Sequence, residues 1–460
     1  MTDVQSLFKR QQAHFSSNAS RSLEWRLDQL ARLERMVTEN QADLFTALAQ
    51  DFKTAWFECG MEYNAVLGTL AETRAELANW MQPEPARISQ RMTDAGYKGE
   101  IHREPYGVSL IVAPFNAPLA LMLNPLITAL SAGNTTIVKP SETTRNVTAL
   151  FQDLIGRYFE PEAVAIVSGN REVMTELLAL PFDFIFFTGS TQVGKIVMRA
   201  AAEHLTPIIL ELGGQNPVLV DATADLEDAA RKIVWGTMAF AGQWCVSPGY
   251  VYVHESVADA FVEACKSAIA AFYGSTPETS PDLSRIATEK DVDRLVGLLA
   301  GSPVVAGGTY NRGERYFAPT IVYPADWSAP IMSSEIFGPI LPVMTYSDLE
   351  PVMETLKKQP RGLASYIFSS DQSTIDTYIH GFSFGGGAVN QTMAQCFISG
   401  MPFGGIGASG MGTYFGKWGF DSLSHAKSIL VAPAQEISAL LPPHTMEKAM
   451  TLGEWFAPAH

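Results

Sequence analysis

An α/β fold built on buried, mainly parallel sheet is predicted by three features of the sequence. Short apolar runs, "VSLIV", "TTIVK", "AVAIV", "FDFIFF" and "IIL", alternate with helix-length segments between Gly107 and Leu212. Runs of that length and composition read as strands covered on both faces. The alternation restarts after the pair Gly213–Gly214 with "NPVLV", "GYVYV" and "ASYIF", which predicts a second α/β domain up to about Asn390. Finally, 47% hydrophobic content with 36 Gly and 27 Pro spread over 460 residues fits a loop-rich enzyme rather than a disordered or fibrous chain. That length allows two or three domains.

In chain order, the region from about Val4 to Met81 has helical spacing, as in "SLEWRLDQLARLERMVTEN" and "QADLFTALAQDF", and is expected to pack as a helical layer. The stretch "YKGEIHREPYGVSLIVAP" then turns to strands, with Gly107 and several prolines marking turns. No internal repeat or low-complexity segment interrupts the pattern. A balance of 32 basic and 48 acidic residues, net −16, disfavours nucleic acid or anionic lipid as a partner. Cys59, Cys245, Cys265 and Cys396 show no C-x-x-C spacing, so neither a disulfide framework nor a metal site is expected. The segment "MTDVQSLFKRQQAHF" lacks a signal pattern and no apolar run approaches membrane-spanning length, which predicts a soluble, cytoplasmic protein.

One turn carries a phosphate signature. In "FTGSTQVGKIV", Gly189, Gly194 and Lys195 match the spacing G-x-x-x-x-G-K, and Ser190 opens a segment whose Val193, Ile196, Val197, Ala200, Ala201 and His204 recur at helical intervals. A strand, a small-residue turn and a helix N-terminus aim free N–H groups at an anion. Ile196 stands where a nucleotide hydrolase needs Ser or Thr for magnesium, so a held redox cofactor is the better reading than hydrolysis. An ordinary strand-turn-helix corner fits this stretch too.

Three further residues could do chemistry. Cys245, in "FAGQWCVSPG", lies between a helix and a Gly/Pro loop where a thiol could face a cleft. Glu211, in "LELGG", sits at a strand end where its carboxylate could act as a base, and Asn116, in "VAPFNAPL", could cap a helix or donate to an oxyanion. Taken singly, each has a purely structural alternative: a buried thiol, a loop cap, a helix cap.

Together, "PFN" at 114–116, "KPSE" at 139–142, "FTGSTQVG" at 187–194, "ELGG" at 211–214, "GQWC" at 242–245, "EIFGP" at 335–339 and "PFGGIGASGMG" at 402–412 resemble the aldehyde dehydrogenase superfamily in order and spacing. The likeness spans about Leu7 to Ser428 and is greatest to the class three branch, which includes benzaldehyde and coniferyl aldehyde enzymes. It implies a variant Rossmann cofactor domain at 1–81 and 101–210, an α/β catalytic domain at 211–390, a small β bridging and oligomerisation element at 82–100 and 391–430, and a C-terminal tail at 431–460. It further implies that Gly189, Ser190 and Gly194 hold the pyrophosphate of NAD or NADP, that Lys139 and Glu142 approach the adenosine ribose, and that Glu335 and Phe337 position the nicotinamide end.

The implied reaction oxidises a small-molecule aldehyde to its carboxylic acid. Cys245 would be the nucleophile, Asn116 the oxyanion donor and Glu211 the base for thioester hydrolysis. A lowered thiol pKa, from a helix end or the cofactor's charge, goes with that role. By the same resemblance Tyr63, Phe115, Trp235, Cys396 and Phe397 wall the aldehyde site, favouring aromatic or medium-chain apolar substrates, and the chain assembles as a homodimer or dimer of dimers. Three positions depart from the family pattern: Gln215 for a common Lys, Gln395 for a frequent His, and Gly249 for a usual Asp. A thiol acyltransferase, esterase or CoA-acylating enzyme, and a noncatalytic binding protein, are the alternatives; the retained Glu211 and Cys245 argue against them.

Overall fold

The computed structural model describes residues 4–434 and 440–457. Four helices, Val4–Ser16, Leu23–Glu39, Gln41–Asp51 and Trp56–Trp80, form the N-terminal layer. The second begins where Ser22 Oγ accepts the Trp25 N–H at 3.1 Å and buries Leu30, Leu33, Met36 and Val37, one stripe of the 3.6-residue period.

A six-stranded sheet follows, in the order Gly410–Met411, Ile208–Leu212, Phe184–Gly189, Val108–Val112, Thr135–Lys139, Val164–Ile166. All neighbours are parallel except the Gly410–Met411 edge. The chain moves outward from Val108–Val112 in one direction and then resumes on its other side at Phe184–Gly189, so a topological switch point lies between these two strands. A crevice opens beyond the carboxyl ends of strands at such a point and is where ligands of this architecture bind. Those ends run into Asn116 and Ser190, with Lys139 closing the next strand.

A second, seven-stranded sheet runs in the order Val304–Ala306, Thr320–Val322, Ile340–Tyr346, Pro248–His254, Asn216–Val220, Ala364–Phe368, Gly386–Val389, again parallel apart from its first strand. The third sheet is antiparallel: Glu84–Ala86, Lys98–Pro105 and Ser424–Val431. Lys98–Pro105 pairs along its whole length with Ser424–Val431, so residues 101–105 belong to this small sheet and not to the cofactor sheet. Beyond it the helix Met446–Trp455 folds back, with the Ser89 hydroxyl donating to the Trp455 carbonyl at 2.7 Å.

One helix face differs from its sequence expectation. Thr191–His204 is helical, but Val193 and Ile196 are 41% and 46% exposed, and the buried stripe is Gly194, Val197 and Ala201. The cause is contact distance: a Cβ on Gly194 would lie 2.7 Å from Leu212 Cδ2, so the helix turns its smallest residue, rather than its largest, toward the sheet. Among the described residues no helix is long and apolar enough to cross a membrane.

Candidate active site

At the switch point, Ser190 leaves the strand Phe184–Gly189 and caps the next helix by accepting the Val193 N–H at 3.4 Å. That fixes the first helical turn, with Gly194 seated on Leu212, and a helix N-terminus of this kind carries early N–H groups that can hold an anion. Thr191 Oγ1 donates to the Ala408 carbonyl at 2.9 Å and ties the turn to the glycine-rich segment after Pro402. Lys139, 5% exposed at the end of its strand, directs Nζ to Glu142 Oε2 at 2.9 Å. Burial is the largest single influence on Glu142 and opposes its charged form, but the bond from Lys139, the Glu142 backbone N–H and the Lys139 charge together hold the carboxyl below its ordinary range. An anion-binding turn flanked by a cation and a carboxylate, all at strand ends of one crevice, fits a dinucleotide with its pyrophosphate on the turn and ribose hydroxyls beside the ion pair.

Cys245 is presented by an unusual backbone. After the helix Leu226–Met238, the residues Phe240, Ala241 and Gly242 carry φ values of 56°, 52° and 72°. Left-handed conformations cost a non-glycine residue about 1–3 kcal/mol each and persist only where surroundings enforce them. Gln243 is one enforcer: its amide donates to the Phe240 and Arg285 carbonyls, both at 2.9 Å, and accepts the Ala287 N–H at 2.9 Å. On the far side, Asn216 Nδ2 donates to the Cys245 carbonyl at 2.9 Å and the Ser247 carbonyl at 2.8 Å, while Tyr366 donates to the Val246 carbonyl at 2.8 Å. The Cys245 segment is thus held on both sides. Sequence reasoning missed Asn216 and Gln243; the available signal was a polar residue opening the otherwise apolar strand "NPVLV".

Burial pushes the Cys245 pKa well up, with Cys396, Glu335 and Glu211 adding to the rise and the Cys245 backbone N–H opposing it. Asn116, 4% exposed, is relieved of the capping duty open to it in the sequence: the helix Ala120–Ala132 is capped instead by Glu62 Oε2, which accepts the Leu119 and Ala120 N–H groups at 2.9 and 3.0 Å.

Two carboxyls flank this region. Glu211 is 3% exposed, and neither oxygen has a hydrogen-bond partner, so burial alone raises its pKa well above the ordinary range. Buried polar groups are ordinarily paired, so an unpaired carboxyl here is open to a hydrogen bond from a bound molecule. Glu335 lays its carboxyl against Gly213, where a Cβ would lie 2.1 Å from Oε2 and would push the carboxyl aside. Burial, partly offset by the Gly214 N–H and by Arg294, pushes it up to about 7. Arg294 also donates to the Ile336 carbonyl at 2.8 Å and the Phe337 carbonyl at 3.2 Å, holding Phe337 at φ 47°.

An apolar cavity of about 690 Å³ opens beside Cys396, which is close enough to Cys245 to perturb its titration. Trp235, Cys396 and Phe397 line it, as expected. Tyr63 does not. It falls on the helix face with Cys59, Val66 and Leu70, buried edge-on to Phe45 at 5.7 Å, whereas Gly60, Asn64 and Gly68, spaced i, i+4, i+8, face the cavity. Phe115 also lies outside the lining: its ring packs between Phe52 at 6.2 Å and Phe337 at 5.8 Å, on the side of the cofactor crevice. Met61, Asn124 and Phe415 complete walls that the sequence reading did not include.

The departures have local roles. Gln215 donates to the Ser334 carbonyl at 2.8 Å and joins the Glu211 turn to the Glu335 loop. Gln395 donates to the Tyr366 hydroxyl at 3.2 Å, one bond removed from the nucleophile segment. Gly249 runs so close to Asn216 that a Cβ would lie 2.8 Å from its backbone nitrogen.

Comparison with known proteins agrees with this architecture. Residues 1–429 match the model of the aldehyde dehydrogenase family. The chain is 39% identical over 448 residues to the 4,4'-diaponeurosporen-aldehyde dehydrogenase of Staphylococcus aureus, covering 96% of this chain and 97% of that one. It is 40% identical over 433 residues to the dimeric NADP-preferring aldehyde dehydrogenase of Rattus norvegicus, covering 94% and 95%. A substrate-bound structure of Staphylococcus aureus AldH superposes with a TM-score of 0.93 at 38% identity, over 96% and 97% of the two chains. This chain therefore belongs to the aldehyde dehydrogenase family as an NAD(P)-dependent enzyme.

Proposed function

We propose that the enzyme oxidises aromatic or medium-chain apolar aldehydes to carboxylic acids through a covalent intermediate on Cys245. The observation that carries the mechanism is the buried Glu211 carboxyl, unbonded at both oxygens and within electrostatic reach of the Cys245 thiol. Attack of the Cys245 sulfur on the carbonyl carbon forms a thiohemiacetal, with the thiol proton leaving to a neighbouring base or solvent. The Asn116 amide and the Cys245 N–H donate to the oxyanion. Bound NAD(P)+ supplies the hydride acceptor and a positive charge that offsets the raised thiol pKa; Lys139, Glu142, Gly189, Ser190, Gly194, Glu335 and Phe337 are the residues that would hold it. Collapse of the oxyanion with loss of hydride from the same carbon leaves a thioester. Glu211 takes a proton from water, hydroxide adds to the thioester, and the acid departs with the proton returned to Cys245. One aldehyde and one water yield one acid, one proton and one hydride.

Substrate choice follows from the cavity walls. No Lys, Arg, Asp or Glu is among the lining residues, so nothing there pairs with a substrate carboxylate, while Trp235, Phe397, Phe415 and Met61 offer apolar surface. Trp56 and Phe57 at the mouth are 67% and 56% exposed and extend that surface outward. The aldehyde named for the Staphylococcus aureus relative is a further candidate. Burying a phenyl ring that a two-carbon aldehyde lacks contributes about 1.5–3 kcal/mol, or roughly ten- to a hundredfold in kcat/KM if retained in the transition state. Benzaldehyde should therefore exceed acetaldehyde, and Trp235→Ala should narrow the gap. A panel of aldehydes followed by nicotinamide absorbance tests this, and preference for acetaldehyde or succinate semialdehyde would overturn it.

Both NAD+ and NADP+ should serve. Glu142 neutralises Lys139 beside the expected adenosine ribose, so Glu142→Ala frees that ammonium for a 2′-phosphate and should raise the NADP+/NAD+ ratio of kcat/KM severalfold. An unchanged ratio would remove Glu142 from the 2′ position.

A further inference from the structure

Resting on the assignment of Cys245 and Asn116 above, we infer that three buried charged residues, Lys53, Glu58 and Glu62, act as a positioning clamp that sets the nucleophile against the oxyanion donor. Lys53 and Glu62 are 0% and 2% exposed at their side chains, with Nζ and Oε1 2.9 Å apart as an ion pair off the hydrogen-bond axis. Glu58 is 5% exposed as a residue. Charges withdrawn from water this far cost folding energy, and such groups are weak evidence for stability but can specify one geometry. Here each carboxylate ends on backbone next to a different catalytic group.

Glu58 Oε1 accepts the Phe240 N–H at 2.6 Å, and its Oε2 accepts the Ser284 hydroxyl at 2.6 Å. Phe240 is the first of the left-handed residues that deliver Cys245. Lys53 Nζ sits 3.2 Å from the centre of the Phe240 ring, and that ring packs edge-on to Trp244 at 4.2 Å, the residue before the nucleophile. Glu62 Oε2 binds the Leu119 and Ala120 N–H groups, three and four residues after Asn116. Because Glu58 and Glu62 are i and i+4 on one helix, and Lys53 pairs with Glu62 while its ammonium lies over the Phe240 ring that Glu58 holds by its backbone, the Cys245 turn and the Asn116 loop are referenced to a single rigid element. None of the three touches the reacting atoms.

The test uses the full-length enzyme, reading the pre-steady-state burst, kcat, the aldehyde KM and thermal unfolding. Glu58→Ala and Glu62→Ala should each lower the burst rate and kcat by about tenfold or more while KM stays within about threefold, since misplacement acts on the transition state. Glu58→Gln should recover to within about threefold of the parent, because its amide oxygen still accepts from Phe240 and Ser284 can reverse its hydroxyl. Equal loss in the Ala and Gln variants, a loss confined to KM, or unchanged kcat in folded alanine variants would each overturn the clamp. Should both alanine variants fail to fold, Ser284→Ala carries the test: a burst slowed severalfold at unchanged KM supports it, and a parental burst refutes it. Wild-type protein without aldehyde oxidation would remove the underlying assignment; active wild type with indifferent Glu58→Ala and Glu62→Ala removes only the clamp.

Discussion

Cys245→Ala should leave no measurable aldehyde oxidation, a loss on the order of 10⁴-fold or more, with NAD(P)+ binding within about threefold of the parent. In the proposed mechanism this thiol forms the covalent bond, while Cys396, also raised by burial and by Glu211, lines the cavity beside it. Cofactor binding is a separate matter. The Ser190 turn and the Lys139–Glu142 pair lie on the first sheet, whereas Cys245 is held by Asn216 and Tyr366 of the second. Absorbance at the reduced-nicotinamide band and titration calorimetry with NAD+ and NADP+ check the two halves. Substantial turnover in this variant would refute the covalent mechanism.

Glu211→Gln should give a burst of reduced cofactor close to one per active site, followed by a steady rate lowered by about 10²–10⁴-fold, because the base acts after hydride transfer. The pH dependence sharpens this. Glu211 works as a base only when deprotonated, and burial raises its pKa, so wild-type deacylation should fall as pH drops through a value above the ordinary carboxylate range. The Gln variant should lose that limb. Equal loss of burst and steady phases would point instead to Glu335, whose carboxyl is pushed up to about 7 and which also perturbs Cys245. A burst that persists while added thiols restore turnover would indicate acyl transfer to an acceptor other than water.

How much of this was legible in the sequence differs from residue to residue. The strands "VSLIV", "TTIVK" and "NPVLV" were, because a strand buried on both faces has to be apolar throughout, and each forms over the same five residues. Cys245, Glu211 and Asn116 each had a structural alternative in the sequence, and only the resemblance to the aldehyde dehydrogenase family grouped them as candidates. Tyr63 was not: Tyr63 and Asn64 differ by 100° around one helix, and only the neighbouring helices decide which faces the cavity. The same rotation separates Val193 and Ile196 from the buried stripe of their helix.

By itself, then, the sequence determined the main run of strands and helices, the strand–turn–helix at Gly189–Thr191 and the family to which the chain belongs, since these depend on local period, turn chemistry and residue type. Only the tertiary structure decided what the candidate groups can do. It left Glu211 unbonded, raised the Cys245 thiol, assigned the cap of the Ala120 helix to Glu62 and brought Lys53 and Glu58 onto Phe240. Each of those facts joins residues from tens to nearly two hundred positions apart, and burial, pairing and desolvation are properties of the space they share rather than of any segment.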